Sequence, residues 1–168
     1  MKTYSNQNLM EQSQWIICKF GGTSVSSLAC WENIKRICQQ HLSAGLKPVL
    51  VCSAASQISN LLIQLLTDAR NGNYAERLTV IKTIYLNLAK ELAVNANILD
   101  ENFRELQRLC EGIALLNEVS PRIHARVLAQ GELILTLLGA NFLQQQGLHC
   151  KRFDARDYLY CQKQGINK

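Results

Sequence analysis

Four clusters in this sequence carry residue types that could do chemistry. The first is Lys19-Phe20-Gly21-Gly22-Thr23-Ser24, set between a short apolar run and a helical pattern. Glycines let backbone N–H groups approach an anion closely. A helix N-terminus behind them adds partial positive charge. Lys19 can offset negative charge, and Thr23 and Ser24 supply hydroxyl donors. That chemistry is phosphate binding. The lysine precedes the glycines, so the cluster is not a Walker A loop, and it is not a G-x-G-x-x-G fingerprint. The same residues also read as a plain Gly-Gly turn joining a strand to a helix.

The second cluster is VCSAASQISNLL, residues 51–62. A strand ends in small polar residues and a helix begins. Ligands of open α/β sheets gather at the carboxyl ends of strands, which would present Ser53, Ser56, Ser59 and Asn60. N-capping by Ser56 or Ser59 explains the same residues. The third cluster is AQGELI, 129–134. A glycine inside a helix costs roughly 1 kcal/mol against alanine, and a buried carboxylate needs a partner. Either Glu132 lies on a solvated face, or Gly131 clears space and Glu132 reaches a cationic ligand group. The fourth is RFDAR, 152–156, where Asp154 and Arg156 read as a surface ion pair.

The elements that must position these residues follow from periodicity. WIICKF (15–20) and KPVLVCSA (47–54) read as short buried strands. Leu28, Trp31, Ile34, Ile37 and Cys38 recur at helical spacing, with Ser26 or Ser27 as the N-cap and an end near Gly45. Three helical runs follow the second strand: ISNLLIQLLTDA, YAERLTVIKTIYLNLAKELA and DENFRELQRLCEGIALLNE, the last with Asp100 as N-cap. Pro121 marks a break before a fourth run ending at Gly147. LHCKRFDA (148–155) reads as a third strand. The order predicts an α/β fold, a mostly parallel sheet with flanking helices and a helix-rich middle segment.

Composition bounds the rest. The 168 residues suit one domain with a real core. A net charge of +5 is spread along the chain without a basic face or tail, so a nucleic-acid partner is not expected. Seven cysteines at irregular spacing include no C-x-x-C pair. A reducing cytoplasm is the expected compartment. His41, His124 and His149 stand far apart and suggest no metal site. The first fourteen residues are polar, read as a loose tail, and lack the apolar core of a signal peptide. No apolar run is expected to span a membrane, which takes roughly 20 residues.

Taken together the clusters resemble the N-terminal part of the aspartate kinases, within the amino-acid kinase family. KFGGTSV (19–25), SAASQISNLL (53–62), GEL (131–133) and FDAR (153–156) stand in that family's order. The likeness covers about residues 15–160 and is closest to the lysine-sensitive type. It implies phosphorylation of the β-carboxylate of L-aspartate by MgATP as co-substrate, the first step toward lysine, methionine and threonine. No tightly bound metal or organic cofactor is implied.

By resemblance Lys19 contacts the transferring phosphate, and Gly21, Gly22, Thr23 and Ser24 line it. Ser59 stands at a position where the family usually has a substrate-touching threonine. Glu132 stands where a glutamate takes the substrate's α-amino group. Gln57 and Ala55 depart from the family's glycine and serine. On the family pattern, 15–168 holds the aspartate side of an incomplete site, with most of the ATP side expected beyond Lys168. A fragment of a longer kinase, little active alone, is the leading expectation. A short non-catalytic binding protein and another amino-acid kinase are the alternatives. Self-association through an exposed sheet edge is a further expectation.

Overall fold

The computed structural model describes residues 14–159; the tail proposed for 1–14 lies almost wholly outside them. Strand β1 (Trp15–Phe20) leads through a 3-10 turn (Gly22–Val25) into helix α1 (Leu28–Ser43). Strand β2 (Lys47–Cys52) follows, then helices α2 (Ile58–Arg70), α3 (Ala75–Glu91), α4 (Asp100–Leu116) and α5 (Pro121–Gln145). The β1–α1–β2 crossover pairs the strands in parallel, in register from Trp15 opposite Lys47 to Phe20 opposite Cys52. This is an α/β fold whose helical layer dominates.

Sequence punctuation explains the helix limits. Ser27 caps α1 by accepting from the Cys30 N–H. Ser120 caps α5 through the Ile123 N–H, with Pro121 in the first turn, where its missing donor costs nothing. Asp100 is the first residue of α4 rather than its cap; the chain enters through a 3-10 turn (Ala96–Leu99) capped by Asn95.

The core lies between the inner face of the sheet and the helices. Trp31 and Ile34 of α1, Ile58, Leu62 and Leu65 of α2, Ile81 and Tyr85 of α3, Leu106 and Ile113 of α4, and Leu138 and Phe142 of α5 are buried. Among the described residues, helix α5 is long and apolar enough to cross a membrane by length and composition alone. Ten of its residues are buried, and it packs on α2, α3 and α4, the setting of a core helix.

Two strand expectations are corrected. Neither β1 nor β2 is buried on both faces. Phe20, Leu50 and Cys52 pack on the core, whereas Trp15, Ile17, Val49 and Val51 face outward, with Ile17 74% exposed. No described element covers that face. The third strand does not form. Residues 148–154 alternate in burial as a strand does, yet a cavity of about 460 Å³ separates them from β2. Side chains tie this segment to α5 instead. The Gln144 amide donates to the Cys150 carbonyl at 2.9 Å, and Arg152 Nε donates to Thr136 Oγ1 at 3.1 Å.

Candidate functional site

Parallel pairing sends both strands out at the same end. Phe20 stands opposite Cys52, and the Ser53 N–H donates to the Phe20 carbonyl at 3.1 Å. The glycine loop after β1 and the loop 53–57 after β2 therefore leave side by side, at the carboxyl ends where α/β sheets take ligands.

The two loops touch through their backbones. A Cβ at Gly22 would lie 2.9 Å from the Ala54 carbonyl oxygen and 3.2 Å from the Ser56 nitrogen. Only glycine fits there without movement. Ser26 joins the loops by hydrogen bonds. Its hydroxyl donates to the Gly22 carbonyl and accepts from the Ser56 N–H at 2.9 Å. Trp31 steadies the turn from below, its Nε1 donating to the Val25 carbonyl at 3.0 Å.

The anion chemistry of the glycine loop is narrower than its sequence suggests. The Ser24 N–H donates to the Gly21 carbonyl at 2.9 Å, so Ser24 offers its hydroxyl rather than its amide. Helix α1 does not follow the glycines directly. Its first N–H, at Leu28, donates to Glu91 Oε2 of α3 at 3.4 Å. A protein carboxylate thus meets the first N–H at the positive end of α1.

The second loop turns into α2 through Gln57, whose φ of 69° is left-handed and which makes no side-chain cap hydrogen bond. Neither Ser56 nor Ser59 caps this helix. Ser59 and Asn60 lie exposed in its first turn. The left-handed backbone survives at the position where the resemblance has glycine.

Glu132 is half-buried, not solvated. Its Oε1 accepts from the Ala54 N–H at 3.3 Å. Gly131 makes that reach possible, because a Cβ there would lie 2.8 Å from the Ala54 Cβ. The Tyr85 hydroxyl donates to the Gly131 carbonyl at 2.8 Å and fixes this turn of α5 against α3. Burial pushes the Tyr85 hydroxyl well above the ordinary tyrosine range, and the Glu132 charge adds to the effect.

Gly22, Ala54, Ser56 and Glu132 are thus brought together. Lys19 is exposed on the outward face of β1, two residues before the glycines, and Ser59 is exposed at the rim. Asp154 and Arg156 form the surface ion pair, Nη2 to Oδ2 at 2.6 Å. The guanidinium holds the Asp154 carboxyl below the usual carboxylate range. Among the described residues no group of His, Cys, Asp or Glu is arranged to hold a metal ion. Sequence reasoning missed the Ala54 amide and Tyr85. It weighed Ser26 only as a cap. None of these contacts carries a local signal: Glu132 lies 78 residues from Ala54, Gly131 lies 46 from Tyr85, and Ser26, though it also bonds the nearby Gly22 carbonyl, meets Ser56 30 residues on.

Known proteins resemble this chain in sequence and in fold. The model of the amino acid kinase family matches residues 14–166. Aspartokinase 1, chloroplastic, of Arabidopsis thaliana is 28% identical over 160 residues, covering 92% of this chain and 28% of that protein. Lysine-sensitive aspartokinase 3 of Escherichia coli is 31% identical over 152 residues, covering 88% of this chain and 32% of that protein. The crystal structure of E. coli aspartokinase III in complex with aspartate and ADP superposes with a TM-score of 0.71 at 28% identity, over 83% of this chain and 31% of that one. The chain spans about a third or less of the length of these relatives.

Proposed function

This chain belongs to the amino acid kinase family, and on that premise we propose that residues 15–168 form the aspartate-binding part of an aspartokinase catalytic domain. One observation carries the reading. The glycine loop and the 53–57 loop meet in backbone contact at Gly22, and Glu132 reaches the same loop at Ala54. A loop suited to phosphate and a carboxylate suited to an ammonium group converge on one end of the sheet. The similarity to a structure holding aspartate and ADP supports the same assignment.

In the reaction a β-carboxylate oxygen of L-aspartate attacks the γ-phosphorus of MgATP. The bond from that phosphorus to the bridging oxygen of ADP breaks, leaving β-aspartyl phosphate and ADP. Such chemistry rests on positioning and on charge offset. Lys19 carries the positive charge for the transferring phosphate. Gly21, Gly22, Thr23 and Ser24 line it, Ser24 through its hydroxyl. Glu132 pairs with the α-ammonium group of aspartate. Helix α2 begins without a side-chain cap, and its exposed first turn at Ser59 offers hydrogen-bond donors to a substrate carboxylate. The protein acts in the cytoplasm, in the pathway to lysine, methionine and threonine.

The relatives extend well beyond the matched region, and in this reading most of the ATP side corresponds to the part of the family fold that residues 15–168 do not include. The 168-residue chain alone is therefore expected to show little turnover in an ATP- and aspartate-dependent hydroxamate assay. Robust turnover contradicts the assignment of this piece to the aspartate side alone.

A further inference from the structure

We propose that Ser26 is a positioning residue that sets the gap between the phosphate loop and the aspartate loop. The proposal rests on the kinase reading above and adds a residue to its machinery. The Ser26 hydroxyl has one proton to give and lone pairs to receive. It gives the proton to the Gly22 carbonyl and receives the Ser56 N–H at 2.9 Å. One small group thereby ties two loops whose residues are 30 apart in sequence.

Three observations separate this role from ordinary structure. First, Ser26 is not needed to begin α1, because Ser27 caps that helix. Second, the two loops already touch at Gly22, where an added Cβ would lie 2.9 Å from the Ala54 carbonyl oxygen, so the hydroxyl fixes lateral register rather than mere proximity. Third, the 53–57 loop is held from its other side by Glu132 at Ala54. Ser26 and Glu132 grip that loop at amides two residues apart. In the kinase reading, the glycine loop places the donor phosphate and the 53–57 loop places the acceptor. Their register sets the in-line distance of transfer, and misplacement by about 1 Å can cost roughly 100-fold in rate.

The test uses the 168-residue chain, with Ser26→Ala, Ser26→Thr and wild type compared by amide hydrogen exchange and by NMR titration with L-aspartate. Ser26→Ala removes both bonds. It is expected to speed exchange at the Ser56 amide by about tenfold, the scale of one net hydrogen bond. The Ala54 amide, held by Glu132, should stay unchanged. L-Aspartate should bind about tenfold more weakly, with the melting temperature little moved. Ser26→Thr keeps the hydroxyl and should restore both readouts.

Unchanged Ser56 exchange in Ser26→Ala overturns the proposal, and so does unchanged aspartate affinity. If Ser26→Ala loses its fold, Ser26→Cys keeps the bulk while weakening both bonds, and is judged by the same readouts. If wild type itself binds no L-aspartate, the kinase reading of this piece fails, while Ser56 exchange still decides whether Ser26 holds the loops.

Discussion

The Glu132 carboxylate accepts a hydrogen bond from the Ala54 amide at 3.3 Å, joining residues 78 apart in the chain. Helix α5 is thereby anchored to the loop that leaves β2. A carboxylate has lone pairs for several donors, so this bond can fix the side chain without exhausting it. Tyr85 holds the same turn of α5 from behind, through the Gly131 carbonyl.

Glu132→Gln keeps an oxygen for the Ala54 amide and removes the charge. Its fold stability should stay near wild type. L-Aspartate affinity should fall roughly 10- to 100-fold, the scale of a charge-assisted hydrogen bond. Glu132→Ala should in addition lose about 1–2 kcal/mol of stability, because the Ala54 N–H loses its partner. Calorimetric titration and urea melts measure the two effects.

Gln57 sits at a φ of 69°, where a side chain costs about 1–2 kcal/mol. Gln57→Gly should therefore stabilise the chain by about 1 kcal/mol. A higher urea midpoint with unchanged slope is the expected result.

Alkaline pH should destabilise the fold. Burial pushes the Cys38 and Cys52 thiols up to about 11 and Cys110 up to about 12, from 9.0; neighbouring thiols add to the shift at Cys38 and Cys52, and Glu111 to that at Cys110. Above the ordinary value the unfolded chain releases these protons while the folded chain keeps them. The unfolded state then binds fewer protons, so stability falls as pH rises. The contribution is complete below about pH 9 and lost as pH climbs through about 11 to 12. Tyr85 acts in the same direction. Urea melts from pH 7 to pH 11 should show this decline.

The outward face of the sheet carries Trp15, Ile17, Val49 and Val51, all exposed. Parallel sheets are ordinarily covered on both faces. The isolated chain should self-associate through this surface, and Ile17→Glu should weaken the association. A monomer by light scattering at high concentration contradicts it.

The local parts of this fold were legible in sequence. Strand, glycine pair and helix at 15–43 follow from apolar periodicity and from two glycines where the chain must turn. At Gly131 the sequence left two readings open, and the solvated one fails because the half-buried Glu132 carboxylate accepts from the Ala54 amide, a partner 78 residues away. What failed depended on distant partners. The contact of Glu91 of α3 with the first N–H of α1 had no local signal either. The 148–155 segment has strand-like alternation, yet Arg152 and Gln144 bind it to α5 rather than to the edge of β2. Ser26 looked like a cap because capping is local; its partner Ser56 arrives only with the second loop.

The most direct test is a titration of the isotope-labelled 168-residue chain with L-aspartate, followed by amide NMR. Saturable shifts are expected at Gly21, Gly22, Ala54, Ser59 and Glu132, abolished or strongly weakened in Glu132→Gln. No saturable shifts, or shifts confined to the cavity between β2 and residues 148–153, would contradict an aspartate site at this end of the sheet.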